Sequence, residues 1–283
     1  MSATAGVTGG SGGTAEVAVP WTVNCSILLT GLPLLERPGA VADAGFGGVE
    51  LWWPFPSVVP DADEVDALVA AVDAAGVVLT GLNFAAGDMP GGDRGLFSWP
   101  GREAELRANL EAVTAIAERT GCRRFNALYG NRLEGADPRV QDELASENLH
   151  RAAQAVARVG GTVLVEPVSG ADRYPLRTAA DAVAVIDRVA AEHGDTNLAL
   201  LLDVYHLAVN GDDVPAAISG YGDRIGHVQV ADAPGRGEPG TGELPITDWV
   251  RDLRAGGYTG PVGLEYTAQT GDPFGWLPAD QRR

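Results

Sequence analysis

The run "LALLLDVYHL" (residues 198–207) sets five aliphatic residues, Leu198 to Leu202, directly against Asp203 and, three positions later, His206. An uninterrupted apolar run of this length reads as a strand buried on both faces, the habit of parallel sheets. A carboxylate ending such a strand gives up hydration, which is tolerated only beside a positive side chain or a metal ion. Whether neighbouring strands end the same way decides between an isolated ion pair and a site.

Working outward, short apolar runs alternate with longer segments of helical period to the end of the chain. Strand candidates are 23–29, 47–53, 77–84, 123–129, 162–167, 198–205, 225–232 and 261–267, and helix candidates lie near 34–45, 61–75, 102–120, 137–159, 178–193, 212–220 and 246–256. Caps such as Asp137-Pro138 and Thr178 with Asp181, and glycines at 45, 76, 121, 160, 194 and 256, mark helix ends. Strands alternating with helices and no GxGxxG after the first strand predict a single-domain (β/α)8 TIM barrel over 21–283, preceded by a flexible tail over 1–20. The segment after the eighth strand, "GDPFGWLPADQRR", carries a weak helical signal. Two long connections, 85–101 and 233–245, follow strands and so belong over the C-terminal mouth, where barrel active sites lie.

Other strands do end in the same way. The fifth closes on Glu166, the sixth on Asp203, the seventh on Gln229 with Asp232 nearby, and the eighth on Glu265. In a barrel these positions converge. Carboxylates gathered there repel unless a cation joins them, and an all-oxygen set suits Mg²⁺ or Mn²⁺ better than zinc. His206 overhangs the same mouth, within reach of a substrate oxygen.

Composition narrows the chemistry. The net charge of −18 repels nucleic acid and anionic membranes at long range. All 20 basic residues are arginine, which excludes Schiff-base chemistry and a lysine-dependent phosphate loop. Cys25 and Cys122 read as free thiols in a reducing compartment. The first 20 residues lack a basic and an apolar region of signal-peptide type, and no 18-residue apolar run exists, so a soluble cytoplasmic protein is expected.

The chain resembles the hydroxypyruvate isomerase family, a branch of the xylose-isomerase-like metal-dependent barrels, from about residue 22 to about 270. The resemblance rests on "IGHVQVADAPGRGEPGTGE" (225–243), with "GVE" (48–50), "AAGD" (85–88), "RGLFSWPGRE" (94–103), "VEP" (165–167), "DVYH" (203–206) and "EY" (265–266). It implies Glu166, Asp203, Gln229 and Glu265 as ligands of Mg²⁺ or Mn²⁺, Glu166 and Glu265 also as catalytic acid and base, and His206, Arg236 and Asp172 as groups near the substrate. Beside it, Asn83 is a candidate substrate contact, Glu50 a candidate either for substrate contact or for a supporting hydrogen bond behind the site, Arg236 the favoured carboxylate clamp with Arg94 and Arg102 as helpers, and Trp52, Trp53 and Phe55 candidate walls. The sequence departs from the family pattern at Leu82, where a histidine is expected, and at Ser169, where an asparagine is expected.

The implied reaction interconverts hydroxypyruvate and 2-hydroxy-3-oxopropanoate (tartronate semialdehyde) by proton transfer between two glutamates. The alternatives are isomerisation or epimerisation of a longer 2-oxo acid or ketose, such as a 2-oxotetronate, and a barrel that binds a metal–metabolite complex without turnover. An abasic-site endonuclease shares the barrel but wants a histidine-rich multi-zinc site and a basic face. The partners expected are a small 2-oxo or hydroxy acid and, as the one assembly considered, a homo-oligomer.

Overall fold

The computed structural model describes residues 19–283. The tail expected over 1–20 falls almost wholly on residues 1–18, outside the described residues. Pro20 already belongs to the fold, its carbonyl accepting a 3.0 Å hydrogen bond from the Val262 amide.

Eight parallel strands form a closed barrel: β1 (Trp21–Asn24), β2 (Gly48–Leu51), β3 (Val78–Asn83), β4 (Arg124–Asn126), β5 (Thr162–Val165), β6 (Leu198–Asp203), β7 (Ile225–Val230) and β8 (Val262–Leu264), with β8 returning to β1. Around them run α1 (Arg37–Asp43), α2 (Ala62–Ala75), α3 (Glu103–Thr120), α4 (Pro138–Ala157), α5 (Ala179–His193), α6 (Val204–Asn210), α7 (Val214–Tyr221) and α8 (Ile246–Ala255). This is the expected TIM barrel. After β8 only a 3₁₀ turn, Ala279–Gln281, forms among the described residues. That closing segment packs Trp276 edge-on to Trp21 at 5.5 Å and Phe274 against Phe46 at 4.8 Å.

Two expected strands end early for the same reason, a side chain that bonds its own backbone. Asn24 Oδ1 accepts from Ser26 N at 2.9 Å while its carbonyl takes the Leu28 amide, so β1, which begins at Trp21, turns away at Asn24, well short of the expected end at 29. Asp203 caps α6, accepting from Tyr205 N at 2.8 Å and His206 N at 3.3 Å. The helix therefore begins at Val204, where the sequence suggested continuing strand, and its first turn carries His206 back over the barrel axis.

Register decides which side chains meet. Asp203 pairs with Gln229 and Gln229 with Gly263, one row across three strands. Glu166 and Glu265 each stand one residue past the end of their strands. Above the mouth, Asn109 of α3 ties two loops together, donating to Val58 O at 2.8 Å and accepting from Ala85 N at 2.9 Å. Gln141 and Asn148 of α4 hold the far end of the 85–101 loop through Ser98 O and Phe97 O, at 3.1 and 2.8 Å. Buried amides thus supply the hydrogen bonds that a loop lying on the barrel needs.

Candidate active site

The strand ends converge as the alternation suggested. Asp203 is 1% exposed, and Glu166, Gln229 and Glu265 are 4% exposed each. They lie in and beneath the floor of a cavity of about 1030 Å³ whose walls include Trp52, Asn83, Arg94, Ser169, His206 and Arg236. His206 Nε2 lies 3.6 Å from Asp203 Oδ2 and 4.0 Å from Glu166 Oε1. Glu166, Asp203 and His206 offer ligand atoms all within 4.8 Å of one another.

The polar inventory fits a cation. Asp203 Oδ2 and Gln229 Oε1 are buried oxygens without a hydrogen-bond partner among the described residues. Unpaired acceptors of this kind are costly unless something positive reaches them. Burial, then the charges of Glu265 and Asp203, push Glu166 well above the ordinary carboxylate range despite a 2.7 Å hydrogen bond from Asn126. Glu265 is pushed up to about 8 by burial and by Asp203 and Glu50, opposed by Arg236 and by the Trp52 indole. Hard oxygen ligands in this number suit a divalent ion.

His206 is not suited to be one of the ligands. Its Nδ1 accepts from the Ser169 amide at 3.1 Å and lies 2.7 Å from Ser169 Oγ. An amide can only donate, so in the neutral ring the proton sits on Nε2, the nitrogen that faces the carboxylates. Burial, with help from Arg236 and Arg94, holds the imidazole down at about 4, against Asp203, so the ring is a neutral donor at physiological pH. The backbone amide of Ser169 therefore fixes the tautomer, and the serine hydroxyl, where the family pattern has an asparagine, adds a second contact to the same nitrogen. Leu82, the other departure, is buried in the apolar core while its neighbour Asn83 lines the cavity.

Beneath these strand-end side chains lies a second buried layer. Glu50 accepts from Gln229 Nε2 at 3.3 Å and sits 2.6 Å from His227 Nε2. By taking the amide nitrogen, Glu50 turns the Gln229 carbonyl oxygen away from itself and leaves it free. Gly263 makes room for this arrangement, since a Cβ there would come 2.1 Å from Glu50 Oε1. Glu50 thus contacts Gln229 and His227, not the cavity in which a substrate would lie.

Two expectations need correction. Asp172 is exposed and stands apart from the cavity walls, because the chain after Val168 turns outward through a bend at 169–170. Arg236 reaches the site but is already engaged. Its Nη2 donates to Glu265 Oε1 at 2.8 Å, its Nε to Glu265 O at 3.3 Å, and it lies 3.8 Å from Asp203 Oδ2. Surrounding carboxylates draw the guanidinium down to them and raise its proton affinity against the cost of burial. Its backbone is held at φ +54°, a costly conformation for a side-chain-bearing residue, and its guanidinium lies over the Tyr205 ring at 5.4 Å.

The sequence reading missed one participant, Asn126, and one role, that of Trp52. Trp52 Nε1 donates to Glu265 Oε1 at 3.0 Å, so the tryptophan holds a carboxylate as well as walling the cavity. Asn126, at the end of β4, holds Glu166. Asp232 is no ligand candidate: it accepts from Ala233, Gly240 and Leu244 amides at 2.8, 2.8 and 2.9 Å and organises its own loop. Glu238 anchors that loop through Gln269 and Thr270, whereas the Glu243 side chain is exposed.

Comparison with known proteins agrees with this geometry. A family model for the xylose isomerase-like TIM barrel matches residues 38–282. A putative hydroxypyruvate isomerase of Streptomyces coelicolor is 52% identical over 93% of this chain and 96% of its own. The hydroxypyruvate isomerase of Escherichia coli K12 is 32% identical over 88% and 94%, and a 2-oxo-tetronate isomerase of Cupriavidus necator 33% over 91% and 96%. Among solved structures, an AP endonuclease, family 2, from Brucella melitensis superposes with a TM-score of 0.83 at 32% identity, covering 92% of this chain and 98% of that one.

Proposed function

The chain belongs to the xylose isomerase-like TIM barrels, and we propose that it interconverts hydroxypyruvate and 2-hydroxy-3-oxopropanoate. It is an isomerase by its relatives. The observation that carries the specific reading is the pair of buried glutamates, Glu166 and Glu265, on either side of Asp203 at one barrel mouth.

The reaction needs no second reactant. A proton leaves C3 of hydroxypyruvate and one arrives at C2, while the hydroxyl proton of O3 passes to O2, so the product has the same atoms and charge. A divalent metal, Mg²⁺ or Mn²⁺, held by Glu166, Asp203, Gln229 and Glu265 would supply Lewis-acid polarisation of the carbonyl next to that C–H bond. One glutamate takes the carbon-bound proton and the other returns it, a task matched by carboxyls whose proton affinity burial has raised. His206 donates its Nε2 proton as a hydrogen bond to the oxygen on which charge develops. Arg236 and Trp52 keep Glu265 in place between transfers. The surrounding Trp52, Trp53 and Phe55 exclude water from one side of the cavity.

A longer 2-oxo acid is the second reading, favoured by a cavity of about 1030 Å³ that a three-carbon acid does not fill and by the 2-oxo-tetronate isomerase relative. DNA cleavage has no support in these residues. The net charge is −18, and His206 alone of the four histidines lines the cavity. Buried free thiols at Cys25 and Cys122 accord with a reducing, cytoplasmic setting, and no described helix is long and apolar enough to cross a membrane.

The test is isomerisation of hydroxypyruvate by the wild type, its loss on chelation with EDTA, and its return with Mg²⁺ or Mn²⁺. Glu265→Gln should lower kcat by about 10³-fold. Full turnover by that variant would overturn the two-carboxylate mechanism.

A further inference from the structure

Four arginines line the cavity: Arg37, Arg94, Arg102 and Arg236. What each can still bind depends on which edge of its guanidinium is taken. A carboxylate is recognised most strongly by two parallel N–H bonds from one edge. On Arg102 the Nε and Nη2 edge is taken by both oxygens of Glu105. On Arg236 the same edge is taken by the carbonyl and carboxylate of Glu265. Arg37 spends Nε on Leu32 O at 2.9 Å and Nη1 on Cys25 O at 2.6 Å.

Arg94 differs. Its Nη1 alone is engaged, donating to Met89 O at 3.0 Å and Asp93 O at 2.7 Å. Both partners are backbone carbonyls, so they fix the plane of the guanidinium without neutralising it. Nε and Nη2 have no hydrogen-bond partner, and the side chain joins no ion pair, among the described residues. The loop beneath is built to keep it there. Asp88 N donates to Asp93 Oδ2 at 2.8 Å, Gly95 N to Ala86 O at 2.9 Å, and Asn131 Nδ2 to Gly92 O at 2.9 Å. Gly95 itself lies so close to the β4–α4 connection that a Cβ would stand 1.7 Å from Leu128 O, at a φ of +105°. Arg94 and His206 line the same cavity.

We propose that Arg94, by its free Nε/Nη2 edge, is the residue that binds the substrate carboxylate and restricts the site to 2-oxo and 2-hydroxy acids. This rests on the isomerase reading above and moves the clamp from Arg236 to the opposite loop. The acid's carboxylate lies on Arg94 and its reacting carbons point toward Glu166 and Glu265. A neutral ketose of the same shape, such as dihydroxyacetone, leaves that edge unpaired and is discriminated against.

Two measurements separate the possibilities, both on Mg²⁺-loaded protein. The first titrates D-glycerate, a carboxylate that cannot isomerise, into wild type, Arg94→Gln and Arg94→Lys, with glycerol as the neutral control. Arg94→Gln should weaken glycerate roughly 10- to 100-fold, Arg94→Lys less, and glycerol should be unaffected. The second compares kcat/KM for hydroxypyruvate and dihydroxyacetone. In Arg94→Gln the preference for the acid should collapse through KM, while turnover of dihydroxyacetone stays near wild type. A role confined to holding the loop would depress both substrates together and would sink the proposal, as would equal glycerate affinity in all three proteins or no binding by the wild type. Arg94-dependent glycerate binding without hydroxypyruvate turnover would instead support the clamp and reject the isomerase reading.

Discussion

Two glycine-rich loops overhang the same barrel mouth, one after β3 and one after β7, and each carries an arginine into the cavity. Their arginines end in opposite electrostatic states. Arg236 is pulled onto Glu265 and Asp203 and its charge is spent inside the protein. Arg94 is held by two backbone carbonyls, which orient it and leave its charge outstanding. The anchors differ correspondingly. The β7 loop is organised by carboxylates, Asp232 and Glu238, that accept backbone amides. The β3 loop adds to its own acidic turns, in which Asp88 and Asp93 accept backbone amides, a set of amide side chains from α3 and α4 that the β7 loop lacks among the described residues. An arginine's function is thus set less by its proximity to a site than by which of its edges the fold has already used.

That contrast breaks most sharply in kinetics. Arg236→Gln removes the positive charge that opposes protonation of Glu265 and should lower kcat by about 10²-fold with little change in KM for the acid. Arg94→Gln should do the reverse. Steady-state measurements giving the same kcat and KM pattern for both variants would abolish the distinction between the loops. A smaller effect comes from the backbone under Arg94. Gly95→Ala drives a methyl into Leu128 O and should raise KM for hydroxypyruvate about 10-fold, whereas Gly240→Ala in the other loop, strained at φ +92° but with nothing within 4 Å of the new Cβ, should lower stability and leave KM near wild type. Substrate saturation curves for the two variants make that comparison.

The smallest effect expected is on acid stability. Glu238 is buried, and hydrogen bonds from Thr270 and Gln269 outweigh desolvation and hold its carboxyl below the usual range. Its folded-state pKa lies below the unfolded value, so its contribution is complete above the ordinary glutamate pKa and fades as the pH falls through the depressed one. Thermal denaturation from pH 7 to pH 3 should therefore fall more steeply for the wild type than for Glu238→Gln. Parallel curves would show that the β7 loop does not draw its stability from that carboxylate.

Much of this was legible in the sequence, and for a definite reason. Strand interiors that are apolar on both faces and end in Glu166, Asp203, Gln229 and Glu265 can be read from order alone, because barrel closure brings consecutive strand ends together whatever the loops do. The tautomer of His206 and the amide orientation of Gln229 could not be read, since each depends on a partner remote in sequence, Ser169 and Glu50, and the free edge of Arg94 could not because it depends on where the loop aims the carbonyls of Met89 and Asp93. Asp172 shows the limit from the other side. Six residues from Glu166, it is carried to the surface by the bend that places Ser169. Asp232 looked like a site acid because it closes a strand, and it is an acid whose oxygens the loop's own amides consume.

The volume of the cavity has a practical corollary. The glutamates proposed to move protons lie on the barrel floor, rooted in strand ends and a buried second tier, while Trp53, Phe55, Met89 and Pro90 form an upper wall on loops. Substitutions in that wall alter how long a chain fits without disturbing the floor, because the two belong to different cohesive units of the fold. Laboratory evolution toward longer acids would therefore begin there, keeping Arg94 as the fixed point from which carbon length is measured.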